Sequence, residues 1–251
     1  MHTPVNFWND VYHNGRLFFP TIDRPFAFET VVPMHTTGLR FQGQNFTNFK
    51  IGYDVVIGNG FSSNDLTDIN YQKSVTLAVH AKPSFGIRIN FSYYRDKIFD
   101  GYVGTHSGHS TSLHQHGLTS SLAGTEILYE LYSFSFSSFK KRVEFLNETS
   151  ANFNKVLNSE KSININCFNY LGYRFSNENV LFGLIDYKNI SEKDVHIIPS
   201  NQTKVGIGFK KMFSHLLKIN IQLEEYLDVK RSNMKLIHQK SEFKIQVAYG
   251  F

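Results

Sequence analysis

The last eleven residues of the chain, Ser241 to Phe251, constrain its fold more than any other stretch. They read S-E-F-K-I-Q-V-A-Y-G-F, so that Phe243, Ile245, Val247, Tyr249 and Phe251 fall at every second position. Glu242, Lys244, Gln246, Ala248 and Gly250 fill the positions between them. A strand sends alternate side chains to opposite faces, so one face of this segment is apolar and the other polar or small. At ~3.3 Å per residue the segment is about as long as a tilted strand crossing a bilayer.

The rest of the composition fits a protein made of such strands. Aromatic residues make up 15% of the 251 positions, with 24 phenylalanines, yet the mean hydropathy is −0.28. Many aromatics without an apolar excess suit a chain that alternates greasy and wet faces. No run approaches the ~18 consecutive apolar residues of a transmembrane helix. A chain of this length can be one large β domain. The single cysteine, Cys167, excludes an internal disulfide. The formal charge of +5 is spread thinly, without the basic face of a nucleic-acid binder.

Alternation predicts strands near 36–45, 48–58, 71–82, 84–95, 118–131, 139–150, 161–175, 179–189, 201–211, 216–228 and 239–251. Its apolar phase runs through Ile51, Tyr53, Val55 and Ile57, through Phe85, Ile87, Ile89, Phe91 and Tyr93, and through Leu217, Ile219, Ile221 and Leu223. The opposite phase assigns Arg40, Lys50, Asp54, His80, Arg88, Lys204, Lys210, Lys218, Glu224 and Lys244 to an interior, with a basic surplus. Connections alternate between short ones, near Phe46-Thr47, Pro83, Ser138, 177–179 and 213–215, and long polar ones at 59–70, 96–117, 151–160, 190–200 and 229–238. Transmembrane barrels sort their loops this way, with short periplasmic turns and longer outer loops, and a sandwich has no reason to. The expected fold is all-β, an antiparallel transmembrane β-barrel built as a meander of 11–12 strands. Eleven strands are odd in number, so the chain is expected to be part of a larger even-stranded barrel. Neither a basic n-region nor an apolar h-region opens the sequence, which agrees with a missing start.

Residues 1–35 lack alternation and read as a loop or a segment folded into the lumen, ahead of a barrel at 36–251. Trp8, Tyr12, Phe18 and Phe19 fit an aromatic plug or girdle, or packing of this loop against the lumen wall. The phrase H-T-P-V-N-F-W-N-D-V-Y-H-N-G, followed by Arg24-Pro25, resembles a segment of uncharacterised, Bacteroidetes-type porin-like outer-membrane proteins of Gram-negative bacteria. His2, Thr3, Pro4, Trp8, Asn9, Tyr12, His13 and Gly15 carry that resemblance, and the run from His35 to Leu39 extends it loosely. The closing strand, with the terminal Phe251, resembles the signal by which such barrels are recognised for assembly. The resemblance implies an outer-membrane location, with outer-membrane lipid, the barrel-assembly machinery and small solutes or ions as partners.

Candidate chemistry is sparse. His106, His109, His114 and His116 share the longest loop and could hold zinc or copper, although a Ser/Gly-rich surface loop also tolerates histidine. Ser110, Ser112 and His109 could be named for a hydrolase, but their spacing does not single them out. Gly58-Asn59-Gly60 and Gly206-Ile207-Gly208 lack the strand–turn–helix setting of a phosphate cradle. No enzyme, cofactor or nucleic-acid partner is expected. The expected function is porin-like passive diffusion of small solutes with a weak anion preference. Two rivals stand beside it: a plugged barrel acting as a surface binding or adhesion protein, and a soluble lipocalin-like carrier.

Overall fold

The computed structural model describes residues 1–12, 18–60, 63–64, 67–68, 71–99, 125–156, 160–194, 196–197, 199–214, 216–230 and 235–250. Two short helices come first, α1 (Phe7–Tyr12) and α2 (Phe26–Thr30). The strands are β1 (Gly38–Phe46), β2 (Ile51–Gly58), β3 (Ser63–Asn64), β4 (Thr67–Asp68), β5 (Ser74–Ala81), β6 (Ile87–Phe99), β7 (Glu126–Lys140), β8 (Val143–Val156), β9 (Ser162–Arg174), β10 (Asn179–Ile190), β11 (Ser200–Ser214), β12 (Leu217–Lys230) and β13 (Lys235–Tyr249). β3 and β4 pair only with each other; the other strands form one 11-stranded sheet in chain order. Every neighbouring pair is antiparallel. Among the described residues β1 and β13 share no ladder, so they are the two edges of the sheet.

Register fixes which face each side chain takes. β10 and β11 pair without interruption from Asn179↔Lys211 to Ile190↔Ser200, and the same phase continues across β12 and β13. Leu181, Ile185, Val205, Ile207, Leu223 and Ile245 are consequently exposed on the outer face. Asn152, Asn164, Asp186, Asn220, Gln222 and Glu224 are buried on the inner one. This is the reverse of a water-soluble domain, in which exposed apolar patches stay small. An apolar belt outside and polar groups inside suit a sheet that faces hydrocarbon.

What buries the inner face is the amino-terminal segment. Residues 1–36 close on themselves through Met1 and Thr36, where Thr36 N–H donates to Met1 O at 3.0 Å and Thr3 N–H to Met34 O at 3.1 Å. Two apolar clusters join this segment to the wall. In one, Val5, Ala27, Val31 and Val32 pack against Tyr94, Ile98, Ile127, Tyr129, Leu131 and Ile190. In the other, Phe7, Trp8, Phe19 and Phe28 pack against Leu146, Phe168, Tyr170, Phe182 and Leu184. The inner wall therefore turns apolar where this segment lies on it.

That local reversal accounts for where the strands depart from the period of the sequence. β6 runs on to Phe99, beyond the expected end at 95, because Asp96 and Ile98 continue the inward phase. Asp96, expected in the loop, is buried in the strand and accepts the Tyr94 hydroxyl at 2.8 Å. The strand expected at 118–131 spans Glu126–Lys140, since Ile127, Tyr129 and Leu131 are apolar on the inside and disguise the alternation. Its turn to β8 consists of residues 141–142 instead of lying near Ser138. The connections at 157–161 and 231–234 shrink as β8, β12 and β13 extend, yet each is still longer than the turns beside it at 141–142, 175–178 and 215–216, so the alternation of short and long connections is kept.

The outward phase yields a depth test on a single strand. Ile207→Arg at the middle of β11 should cost ~2–4 kcal/mol of stability in bilayers, and Phe213→Arg near its end ~0–1 kcal/mol. Reversible unfolding in denaturant from lipid vesicles would show this gradient; equal costs at the two positions would contradict the inside–outside assignment.

Candidate functional site

A dense set of polar and charged contacts lies where the amino-terminal segment meets the inner wall. Each short helix leaves its first backbone N–H groups without intrahelical partners. The wall supplies acceptors. Phe7 N–H donates to Ser135 Oγ at 3.1 Å and Trp8 N–H to Glu148 Oε1 at 2.7 Å at the start of α1. Phe26 N–H, at the start of α2, donates to Asp186 Oδ2 at 2.8 Å. A buried carboxylate from the sheet thus meets the positive end of each helix, an arrangement favoured by the helix dipole.

Other bonds fix the links between the helices. Ile22 N–H donates to Gln222 Oε1 at 3.0 Å, Lys218 Nζ to Phe19 O at 2.9 Å, and the Tyr129 hydroxyl to Val31 O at 2.5 Å. Asn9 ties the two halves of the segment together, donating to Thr3 O at 2.8 Å and Met34 O at 3.2 Å. Burial, reinforced by Glu144 and Glu148, pushes the Tyr12 phenol well above its usual range, so it stays neutral. Aromatic edges complete the fit: Trp8 lies 5.3 Å from Phe19 and 5.6 Å from Phe168 between ring centroids.

The interior residues expected from alternation take several positions. Asp54, His80, Lys204, Lys210, Lys218 and Glu224 are buried on the inner face, and Arg40, Arg88 and Lys244 are partly covered there. Lys204 Nζ lies 3.4 Å from Asp186 and 3.6 Å from Glu224, and Lys210 Nζ lies 3.1 Å from Glu144. Arg40 Nη2 is 2.7 Å from Asp54, and Arg88 pairs with Asp10 of α1. His80 Nδ1 is 4.0 Å from Asp54. Lys50 is a correction: it is exposed in the turn after β1 with φ +48°, where the two-residue period of a strand does not apply. The basic surplus is a second correction. Asp96, Glu144, Glu148 and Asp186 are also buried inside and offset the lysines. In the sequence Glu144, Glu148 and Asp186 lie in runs whose inward phase also carries Leu146, Phe182 and Leu184, so alternation does not single them out.

Phe243, Ile245, Val247 and Tyr249 of the closing strand are exposed on the outer face, whereas Phe251 lies outside the described residues. His106, His109, His114 and His116 lie outside them as well. One group of carboxylates, Asp23, Glu224 and Glu242, brings oxygens within 4.8 Å of one another. The Lys244 ammonium lies among these oxygens, 2.6 Å from Glu242 and also paired with Asp23 and Glu224, so it already supplies the cation.

No protein-family model and no curated protein matches the sequence. Among solved structures the chain is similar to in-vitro folded OmpT, an outer membrane protein of Vibrio cholerae, with a TM-score of 0.61 at 11% identity over 99% of this chain and 74% of that one. The outer-membrane expressed form of OmpT of Vibrio cholerae gives a TM-score of 0.54 at 12% identity over 99% and 75%. At such identities the likeness is one of fold. The chain has the fold of outer-membrane β-barrels, and the comparisons do not reach the particular family that its amino-terminal phrase resembles.

The helix-capping carboxylates should hold the segment in place. Glu148→Ala and Asp186→Ala each leave buried N–H groups unpaired at ~1–3 kcal/mol. Hydrogen exchange in the double variant should quicken by about tenfold or more at residues 7, 8 and 26, while β10 to β12 keep their protection. Unchanged exchange at those amides would mean that the carboxylates do not anchor the segment.

Proposed function

We propose that this chain is an outer-membrane barrel protein whose interior is filled by its own residues 1–36, and that it serves as a surface binding protein through its outer loops. One observation carries the reading: the inner wall is apolar under the apolar residues of the segment and offers hydrogen-bond acceptors under its helix starts. Such matching in two chemistries favours a resident plug over a loop that merely narrows a pore. Burial of inner residues on β5 to β12 agrees with it, since Ser92, Asn152, Asn164, Asn220 and Gln222 are all closed to solvent. The outer-membrane location rests on the fold and on the apolar outer face.

Porin-like diffusion is the second reading, favoured by the ionisable groups along the same wall. A hydrated passage needs such a lining, and lipid would not. Under that reading the segment is displaced during conduction. With the positive and negative groups paired, the ion preference should be slight.

Single-channel recording of the protein in planar bilayers separates the two. The intact protein should show no stepwise conductance. Trp8→Ala with Phe28→Ala removes two buried aromatic anchors, at ~3–5 kcal/mol each, and should introduce steps while strand content by circular dichroism is retained. Steady open-channel steps from the intact protein would overturn the plugged reading in favour of diffusion.

A further inference from the structure

A pocket of about 380 Å³ lies at the short-turn end of the sheet, between α1 and the turns that follow β1 and β5. Its volume falls within the range of small-molecule sites, about 300–1,000 Å³. Phe7 and Val11 of α1, Phe85 and Phe139 form its apolar surfaces. Lys50, Lys82, Ser84 and Arg88 bring positive charge and hydroxyl donors to the same space. No carboxylate is among the described residues that line it.

The surroundings are fixed by backbone bonds between the segments that form it. Lys82 N–H donates to Phe49 O at 2.9 Å, and Phe139 N–H to Gly86 O at 2.7 Å. The left-handed backbone at Lys50 is closed by its own N–H on Thr47 O at 3.1 Å. Arg88 packs over the Phe7 ring at 5.6 Å and pairs with Asp10, which holds its guanidinium at the edge of the pocket. Behind this surface, Ser84 Oγ and Arg88 Nε are closed to solvent and have no protein hydrogen-bond partner. Buried donors of this kind are costly unless an acceptor meets them.

From this combination we infer a binding site for a small amphipathic carboxylate. Its apolar body would lie on Phe7, Val11 and Phe139, and its carboxylate would be met by Lys50 and Lys82. A neutral ligand would forgo the attraction of the two lysines, and a bare inorganic anion would leave the phenylalanines uncovered. Because α1 supplies one wall, the ligand binds the seated form of the amino-terminal segment and stabilises it by linkage. The inference rests on α1 being seated, which hydrogen exchange at residues 7 and 8 reports independently of any ligand.

The chemistry has two natural sources, a free organic acid or the acidic headgroup and upper chain of a membrane lipid. Both are separable with 3-phenylpropionate as probe and 3-phenylpropanamide as its uncharged counterpart, titrated calorimetrically into the protein in nanodiscs. In zwitterionic phosphatidylcholine the acid should bind saturably, and the amide about tenfold or more weakly. Lys50→Glu with Lys82→Glu should abolish binding of the acid, while Lys140→Glu, on an exposed position outside the pocket, should leave it intact. Repeating the titration in phosphatidylglycerol nanodiscs identifies the source: undiminished affinity points to a free acid, and competition points to an anionic lipid. Equal affinity for acid and amide, no saturable binding, or binding that survives the double lysine variant with α1 still protected would overturn the inference.

Discussion

Everything in this structure depends on a sheet with two unlike faces. An apolar outer face has to be kept from water, and a polar inner face has to be hydrogen-bonded, because a buried donor or acceptor without a partner costs about as much as a lost hydrogen bond. The outer face has the apolar character that suits lipid. The inner face is provided for by cross-strand pairs such as Asn164 with Asn152 at 2.9 Å, and by the amino-terminal segment. The same requirement applies to the edges. β1 and β13 carry backbone groups that hydrocarbon does not satisfy, so in a membrane they must be paired.

The amino-terminal segment is short of regular structure for the same reason that it fits. Helices of five and six residues are too short to be stable alone. Their first N–H groups find acceptors on Glu148 and Asp186, and their apolar residues find Phe168, Tyr170 and Ile127. The wall thus supplies what the segment lacks. In return, Trp8 and Phe28 cover wall residues that would otherwise face an aqueous interior. Ser92 shows the same exchange on a smaller scale, accepting Asn6 N–H at 3.3 Å.

How much of this was legible depended on whether alternation was intact. In β2, β9, β10 and β11 a largely apolar outer phase marks the strand even where Phe168, Tyr170, Phe182 and Leu184 are apolar inside, and the observed strands match the expected ones to within a few residues. In β6 and β7 the inner residues Ile98, Ile127, Tyr129 and Leu131 are apolar while Lys97, Glu126 and Glu130 fall on the outer phase, so the period of the other strands is inverted there. The partner that makes them apolar is more than sixty residues away in the chain, as in the bond from Tyr129 to Val31. Lys50 failed for the opposite reason: a phase counted along a strand was carried into a turn. The aromatics of the first twenty residues did announce a packed segment, but not which wall residues would receive it.

The charge arrangement bears on why the segment has one seat. Lys204 is held between Asp186 and Glu224, and Asp186 in turn accepts the first N–H of α2. Lys244 reaches from the same Glu224 to Asp23 of the segment. These groups form a chain from helix start to wall and back to the segment. Apolar packing alone would tolerate a shift of the segment along the wall. A shift here would break the Lys244–Asp23 pair and take the Phe26 N–H away from Asp186, and a buried donor left unpaired costs ~1–3 kcal/mol. Lys204 Nζ also sits 5.0 Å from the centre of the Phe26 ring, so the residue that closes the ion pairs also contacts the apolar anchor. Position is therefore set by electrostatics and area by packing, and the two meet at Phe26.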